Sequence, residues 1–583
     1  MAVKLPKGVT LEDLVRNYDT MKSEYASAYR RIKVLDLVDR GEIWELISRK
    51  FPEYQITPDT NYVNYIKENI LASVYTVGKS ASLIARSKQD KEVVDKLNKV
   101  LDTLWGVLKV RTYQLKAGER AALCNLGITQ VGWSKDIQGG TNEHWYKGDV
   151  VLKNIDPLNY GRDPFADTLE DAAFVIYHDK YHKMTLMENP NYRKVLKDMD
   201  PEDTGDIENY NRTGGTSPGT NSNYYTLVIH WIKAYDETKE EVVIHEIHTI
   251  ANKTVLYVKE DIKPRMFPFA ELYSNIPVKD PVGISEPSKI LSSTVVTNLL
   301  DGIVTTHAYK AQRPPRLISD RSGLNLRTFT KYGNDPDKSF IVNGNPDEAV
   351  RYVSFPPLPQ SLENTTSRLS AAIERMSGID SKYTGKDTGS ILTTGGIDSM
   401  LAQATMRDTT RISLYEEYTQ ELTRLIISHM IYYGDKREYG YTNPTNRQME
   451  FMTLDFPKIP DDILFNYSIN ISSELPKTKA RIQAQADAML EKSMQYQANP
   501  EILTIEEWLS FQDFPGIERI VERLELDRQA NMTEQVTQVL AMFSGLVEQG
   551  MDPNEAVNVV TQQMQSQQTT GGPPAAPPNP VMK

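Results

Sequence analysis

The chain has 583 residues, of which 39% are hydrophobic and 25% are charged, and its formal net charge at pH 7 is −12. This length exceeds a single typical core, so we expect several subdomains, and the composition excludes wholesale disorder. The N-terminus has no charged-then-apolar signal pattern and no run approaches about 18 apolar residues, so the sequence predicts neither secretion nor membrane spanning.

Helical patterns dominate the first part of the chain. The pattern Thr10-x-x-Asp13 is typical of a helix N-terminus, because each side chain can accept a backbone N–H of the first turn. Cys124, the single cysteine, lies in an apolar run and excludes an intrachain disulfide, so we expect it to be inert core. The predicted helices cover residues 10–33, 36–49, 60–86 and 90–118.

β-rich patterning follows over residues 127–259. Its clearest predicted strands are residues 242–245 and 254–258, where β-branched residues dominate. Residues 203–223 contain several glycines and polar side chains, which is typical of a loop. This part of the chain therefore predicts a sheet domain that follows an N-terminal helical layer.

The histidines of the β-rich part give little evidence for a metal site. His178 and His182 lie four residues apart and would share one face of a helix, but no third ligand is evident. His245 and His248 lie in strand-like sequence, where residues three apart point to opposite faces of a sheet. We therefore predict no metal site.

Two helix-patterned segments of unequal length follow, and they bracket a basic insert. The first is predicted to start at Ser285-Glu286-Pro287, because serine can cap a helix, glutamate suits its N-terminus and proline is tolerated in the first turn. Helical spacing of Leu291, Val295, Leu299 and Ile303 continues until Pro314-Pro315, which predicts a helix of about 26 residues. The return segment starts after Pro359 and ends at Gly378, a natural C-terminal residue.

The insert between these segments is locally basic. Residues 311–331 hold five basic side chains against Asp320 alone, on a chain whose net charge is negative. The basic residues are Arg313, Arg316, Arg321, Arg327 and Lys331. This charge predicts an electrostatic contact surface, and a solvated basic face is the alternative interpretation.

A polar segment rich in glycine follows the return helix. Lys382 and Lys386 are its cations, and Gly385 and Gly389 give its backbone many accessible conformations. A long helix is predicted after it, to Tyr433. Polar, glutamine-rich helices are predicted from residue 478 to 567, and the Gly- and Pro-rich residues 568–583 are expected to be disordered.

This order of segments resembles the portal proteins of tailed bacteriophages, which are the ring subunits through which the genome enters and leaves the capsid. The resemblance covers most of the chain. Upstream it includes residues 61–75, the strand pattern at 127–133 and the motif Asp163-Pro164-Phe165-Ala166-Asp167. No single segment is specific, and the order and spacing of the segments carry the resemblance.

The resemblance implies an α+β portal fold with a wing, a two-helix stem, a clip and a helical crown, assembled as a ring. The implied domains are a wing at 1–282, stem helix 1 at 283–312, a clip at 313–358, stem helix 2 at 359–377, a tunnel loop at 378–396, a long wing helix with its return at 397–470, a crown at 471–567 and a disordered tail at 568–583.

The implied function is a dodecameric channel at one capsid vertex for packaging, retention and ejection of double-stranded DNA, without catalysis or a cofactor. The implied partners are further copies of the chain, the terminase large subunit, the head-tail adaptor, and the major capsid and scaffolding proteins. No membrane partner is implied. The protein would lie in the virion, and in the host cytoplasm during assembly.

The resemblance also assigns three sets of site residues. A polar face of the first stem helix would line the channel through Ser288, Ser292, Thr297 and Thr305. The tunnel loop would contact DNA through Lys382 and Lys386, with Gly385 and Gly389 providing flexibility, and an ordinary surface connection without a DNA role is the alternative interpretation. The clip would dock the terminase and the adaptor through Arg313, Arg316, Arg321 and Arg327.

Two alternatives remain open at this point. One is an ATP-using enzyme, because Thr394-Gly395-Gly396-Ile397-Asp398-Ser399 resembles a pyrophosphate-binding loop. The expected buried strand before such a loop is missing, and Gly78-Lys79-Ser80 matches only the end of a P-loop. The other alternative is a different ring-forming connector without the stem, clip and stem order.

Overall fold

The computed structural model describes residues 3–46, 56–76, 81–88, 90–140, 145–197, 224–237, 239–312, 314, 316–333, 335, 337–353, 356–377, 408–442, 449–459 and 467–471. The chain divides into two units, residues 1–473 and 474–583, and every described residue belongs to the first. Helix and strand are mixed in that unit, which agrees with the predicted α+β class. The predicted loop at 203–223, tunnel loop, crown and tail fall outside the described residues.

The N-terminal helices differ from the prediction in three places, one of which is the helix predicted over residues 90–118, divided into two helices at Lys109, where the backbone is left-handed. Helix α1 (Leu11–Asp39) is continuous where two helices were predicted, and it begins with the predicted capping box between Thr10 and Asp13. The helix continues through Asp36, whose carboxylate pairs with Arg120 at 2.7 Å, and its buried face extends to Leu35 and Val38. The next three helices are α2 (Tyr62–Ile70), α3 (Lys91–Val107) and α4 (Val110–Cys124).

The helix predicted over residues 60–86 is much shorter. Helix α2 passes into one π-helical turn at Leu71–Tyr75, and residues beyond it form strand β1 (Ala81–Ala85). Strand β1 pairs antiparallel with strand β14 (Tyr467–Ile471), almost 400 residues away in sequence. That distant pairing overrides the local helical pattern, so the prediction was wrong here.

Two antiparallel sheets form the β-rich part, in the strand orders β3-β2-β9 and β4-β5-β6-β7-β8. Strands β7 and β8 confirm the two clearest strand predictions. Residues 225–232 of β6 are all buried, so both faces of the larger sheet are covered. The strands are β2 (Leu126–Gly139), β3 (Tyr146–Ile155), β4 (Tyr160–Arg162), β5 (Phe174–His182), β6 (Tyr224–Asp236), β7 (Glu241–Ile250), β8 (Thr254–Lys259) and β9 (Phe269–Tyr273), and helices α5 (Lys183–Glu188) and α6 (Pro190–Lys197) follow β5.

The next part of the chain is a hairpin of two helices around a small mixed module. Helix α7 (Glu286–Gln312) has 27 residues, and α10 (Gln360–Ser377) packs against it on the return. The observed bounds of both helices confirm the helix positions that were predicted from the capping residues and prolines. The module between them contains β10 (Arg316–Ile318), α8 (Leu326–Tyr332), α9 (Pro346–Ala349) and β11 (Val350–Tyr352), with β10 and β11 paired antiparallel.

Helix α11 (Asp408–Tyr433) crosses the core and packs on β9 and β2. A hairpin of β12 (Lys436–Thr442) and β13 (Met449–Asp455) follows it. Buried Arg437 in β12 pairs with Asp149 at 3.1 Å, which ties this hairpin to β3. Within the described ranges, no helix is both long enough and apolar enough to cross a membrane.

Candidate functional site in the α7–α10 hairpin

The side of α7 that the chain buries includes several polar side chains. Asn298 is fully buried, its Oδ1 accepts the Thr60 N–H at 2.7 Å, and its Nδ2 donates to the Thr60 carbonyl at 3.2 Å. Thr306 Oγ1 accepts the Ile56 N–H at 3.0 Å. Residues 56–60 have no regular structure, so these side chains satisfy backbone groups that a helix or sheet would otherwise pair.

This polar packing corrects part of the channel-lining prediction. Thr297 is 1% exposed and its hydroxyl donates to the Ser293 carbonyl at 2.9 Å, so it is not available to line a channel and the prediction was wrong for it. Thr305 is half-buried and donates to the Asp301 carbonyl at 2.6 Å. Ser288 is half-buried beside Ser285, and Ser292 is exposed.

The opposite side of α7 is exposed and mainly apolar. Val296 is 44% exposed and Ile303 is 47% exposed, while Leu299 and Leu300 between them are half-buried. These positions follow one another at helical spacing and form a single stripe. Apolar residues therefore lie on both sides of α7, because Ile290 is fully buried and Leu291 and Val295 pack against the core, while Val296 and Ile303 are left open.

The module between the helices has a small core built on an arginine. The Arg316 guanidinium stacks over the Phe329 ring at 5.0 Å and over the Tyr352 ring at 5.9 Å. Phe329 contacts Phe340 edge to face, with ring centroids 5.0 Å apart. Such cation–π contacts are worth about 0.5–2 kcal/mol, so Arg316 stabilises the module itself and is a weaker docking candidate than the sequence predicted.

The remaining arginines of the module differ in accessibility. Arg321 and Arg327 are exposed, and Lys331 lies one helical turn after Arg327 on the same side of α8. Arg313 falls outside the described residues. Of the basic residues that the sequence singled out, Arg321, Arg327 and Lys331 are therefore the exposed ones in the described part of the module.

Large apolar side chains of the same module are also exposed. Leu317 is 61% exposed, Leu326 is 60% exposed and Ile341 is 93% exposed. A module of this size buries too little apolar surface for independent stability. Exposed apolar groups on so small a unit are typical of a surface that another protein covers.

A buried charge cluster joins the start of α7 to the start of α11. Arg411 Nη2 lies 3.0 Å from Glu286 Oε1, and Arg411 Nη1 lies 2.6 Å from Asp408 Oδ1. The Arg411 side chain is only 7% exposed. Of these residues, only Glu286 was singled out from the sequence, as a favourable charge at a helix N-terminus. Its pairing with Arg411 was missed because no local sequence pattern predicts a contact between such distant residues.

Another group that sequence reasoning missed organises the loop after β4. Buried Arg162 donates to the backbone carbonyls of Ala166 at 2.6 Å and Asp167 at 3.1 Å. Asp163 Oδ1 accepts the Phe165 N–H at 3.1 Å, and the Phe165 ring is 80% exposed. The motif is visible in the sequence, but the rigid display of Phe165 depends on contacts that only the fold provides.

The structure places the histidines that the sequence singled out on strands β5 and β7. His178 and His182 lie on strand β5 and not on a helix, and His182 Nδ1 accepts the Met184 N–H at 3.3 Å. His248 Nε2 lies 2.8 Å from Glu246 Oε1 on strand β7. Among the residues that the structure describes, no group of three or more His, Cys, Asp or Glu side chains could hold a metal ion.

Several predicted site residues fall outside the described ranges. These are Lys382, Lys386, Gly385 and Gly389 of the predicted tunnel loop, Gly78-Lys79-Ser80, and the possible pyrophosphate loop from Thr394 to Ser399. For the tunnel loop, the described residues give the anchor points. The segment that contains it begins after Ser377 of α10 and ends before Asp408 of α11.

Comparison with known proteins gives one family. The family described as "Phage SU10 portal protein" matches residues 135–570, about three quarters of the chain. The match includes most of both sheets, the α7–α10 hairpin and helix α11. The chain matches none of the curated proteins.

Proposed function

The chain belongs to the phage SU10 portal protein family, and from this premise we propose that it forms the ring through which the phage genome enters and leaves the capsid. A phage portal protein is a component of the virion. The finer assignment rests on the order of elements in one chain. A long helix, a small mixed module, a return helix and a further long helix follow one another between residues 286 and 433.

In this proposal α7 and α10 form the stem and the module between them forms the clip. The exposed apolar stripe of α7 supports assembly, because it is stabilised when another copy covers it. Twelve copies, the number implied by the resemblance, close the ring around double-stranded DNA. A different ring-forming connector is less favoured, because it would not require a stem, clip and stem order.

The net charge suits a channel through which DNA slides. Each copy contributes −12, so the ring as a whole repels a duplex that carries one negative charge per about 1.7 Å. Strong uniform binding would hold the DNA in place, whereas a few basic side chains against an acidic background give weak, exchangeable contacts. Lys382 and Lys386 of the tunnel loop are proposed to supply such contacts.

The exposed charges of the clip support a docking role. Arg321 and Arg327 are accessible on a chain that is otherwise acidic, so they mark one surface electrostatically. We assign this surface to the terminase large subunit during packaging and to the head-tail adaptor afterwards. The wing is assigned to contacts with the major capsid and scaffolding proteins, during assembly in the host cytoplasm.

The mass of the purified protein in solution tests the proposal. We expect a closed homo-oligomer near twelve times 66.2 kDa by native mass spectrometry, with a central hole in electron micrographs. A stable monomer at micromolar concentration, or an open filament without a closed form, would contradict the ring.

A further inference from the structure

One side of helix α10 carries a polar stripe to which the family resemblance gave no role. Its members recur every three or four residues, so they lie on one face of the helix. Ile373, on the opposite face, is 2% exposed and belongs to the core. The stripe consists of Ser361, Asn364, Arg368, Ala371 and Arg375, all exposed except the half-buried Ala371.

The two arginines of this stripe are available to an anion. No carboxylate lies within ion-pair distance of Arg368 or Arg375 among the described residues, and the stripe itself contains no acidic side chain. Seven residues separate the two, so they lie about 10 Å apart along the helix axis. Within the described part of the chain, these two cations are therefore accessible to a polyanion.

The exposed sides of the two hairpin helices therefore differ in chemistry. The exposed side of α7 is apolar through Val296 and Ile303, which favours contact with protein. The stripe of α10 that contains Arg368 and Arg375 is hydrated and cationic, which favours contact with a polyanion, and the exposed Glu374 lies beside this stripe. In a closed ring the first surface suits the neighbouring copy, and the second suits the channel.

We propose that the Arg368 and Arg375 stripe of α10 faces the channel and binds backbone phosphates of the passing duplex, while the apolar stripe of α7 packs on the neighbouring copy. This inference rests on the proposed ring. It moves the DNA-facing surface from the first stem helix, where the sequence predicted it, to the second. Guanidinium groups bind phosphate through paired hydrogen bonds, and the Ser361 hydroxyl and the Asn364 amide add weaker donors.

The test is the variant Arg368→Gln with Arg375→Gln in the full chain. Its matched control is Lys194→Gln with Lys197→Gln, which removes the same charge from two exposed lysines of α6. Purified rings are titrated with linear duplex DNA at several salt concentrations. Each phosphate interaction that the variant removes should lower the magnitude of the log–log salt slope by about 0.9. Phage assembled with the α10 variant should retain a smaller fraction of full-length genomes, while the control variant matches the parent.

The mass of the ring is measured separately for each protein, so that a failure of the proposed function can be distinguished from a failure of the α10 assignment. A parent protein that forms no ring contradicts the proposed function. Intact variant rings with the parent's salt slope and genome retention overturn the α10 assignment. Loss of the ring in the α10 variant alone also overturns it, because the arginines would then serve contacts between copies.

Discussion

Glu286 in the first turn of α7 and Arg411 in the first turn of α11 are joined by an ion pair of 3.0 Å, although 125 residues separate them in sequence. Both side chains are largely buried, at 12% and 7% exposure. The pair fixes the start of the proposed stem against the helix that follows the proposed tunnel loop. Because both side chains are largely buried, water and salt screen this contact little.

Removing Arg411 should destabilise the protein strongly. In Arg411→Met the buried carboxylates of Glu286 and Asp408 lose their shared partner. We therefore expect the free energy of unfolding, measured by urea titration, to fall by about 3 kcal/mol. The exposed pair between Lys96 and Glu92 is the control, and Lys96→Met should cost less than about 1 kcal/mol. Equal effects of the two substitutions would contradict a structural role for the cluster.

A charge on the apolar stripe of α7 should prevent assembly without unfolding the protomer. Ile303 is 47% exposed, so Ile303→Asp places the carboxylate in water in the isolated chain but buries it in the proposed interface. For Ile303→Asp we expect native mass spectrometry to show monomers, and circular dichroism to match the parent protein. For the control Ser292→Ala we expect intact rings. Normal rings from Ile303→Asp would show that this stripe stays exposed.

Charge reversal in the module should separate docking from assembly. Arg321→Glu with Arg327→Glu changes two exposed side chains, so protomer stability should change by less than about 1 kcal/mol. Binding of terminase large subunit to purified rings should fall at least about tenfold at physiological salt. The control is Lys194→Glu with Lys197→Glu in α6, and an equal reduction in both variants would point to a general charge effect.

The predicted tunnel loop has its own test. Lys382→Ala with Lys386→Ala removes its proposed phosphate contacts, so assembled particles should leak DNA while ring mass stays unchanged. Genome length in purified particles is the measurement. Particles that package and hold full-length genomes as well as the parent would remove the DNA-contact role of these lysines.

Stability should fall with acidification below about pH 6.5. Burial lowers the pKa of His178, His230 and His429 to about 4, so the unfolded chain takes up protons between pH 6.5 and 4 that the folded chain excludes. Because the unfolded state binds more protons, each histidine should cost about 2–3 kcal/mol by pH 4.5. In His178→Gln the pH slope of the unfolding free energy should be smaller, and an unchanged slope would contradict this origin.

The sequence by itself determined the features that depend on a few neighbouring residues. Ser285 and Pro314-Pro315 bound helix α7, because capping and the loss of a backbone N–H act within one turn. Runs dominated by β-branched residues located β7 and β8 in the same way. The order of such segments was also enough to suggest the family that the comparison then supported.

Only the tertiary structure decided which surfaces are buried. Strand β1 exists because residues 467–471 pair with it, and α7 buries Asn298 because residues 56–60 need partners for their backbone groups. The stacking of Arg316 on Phe329 and the pairing of Arg411 with Glu286 likewise join separate parts of the chain. Local patterns cannot encode these outcomes, because the free energy that fixes them comes from contacts between segments that the sequence keeps apart.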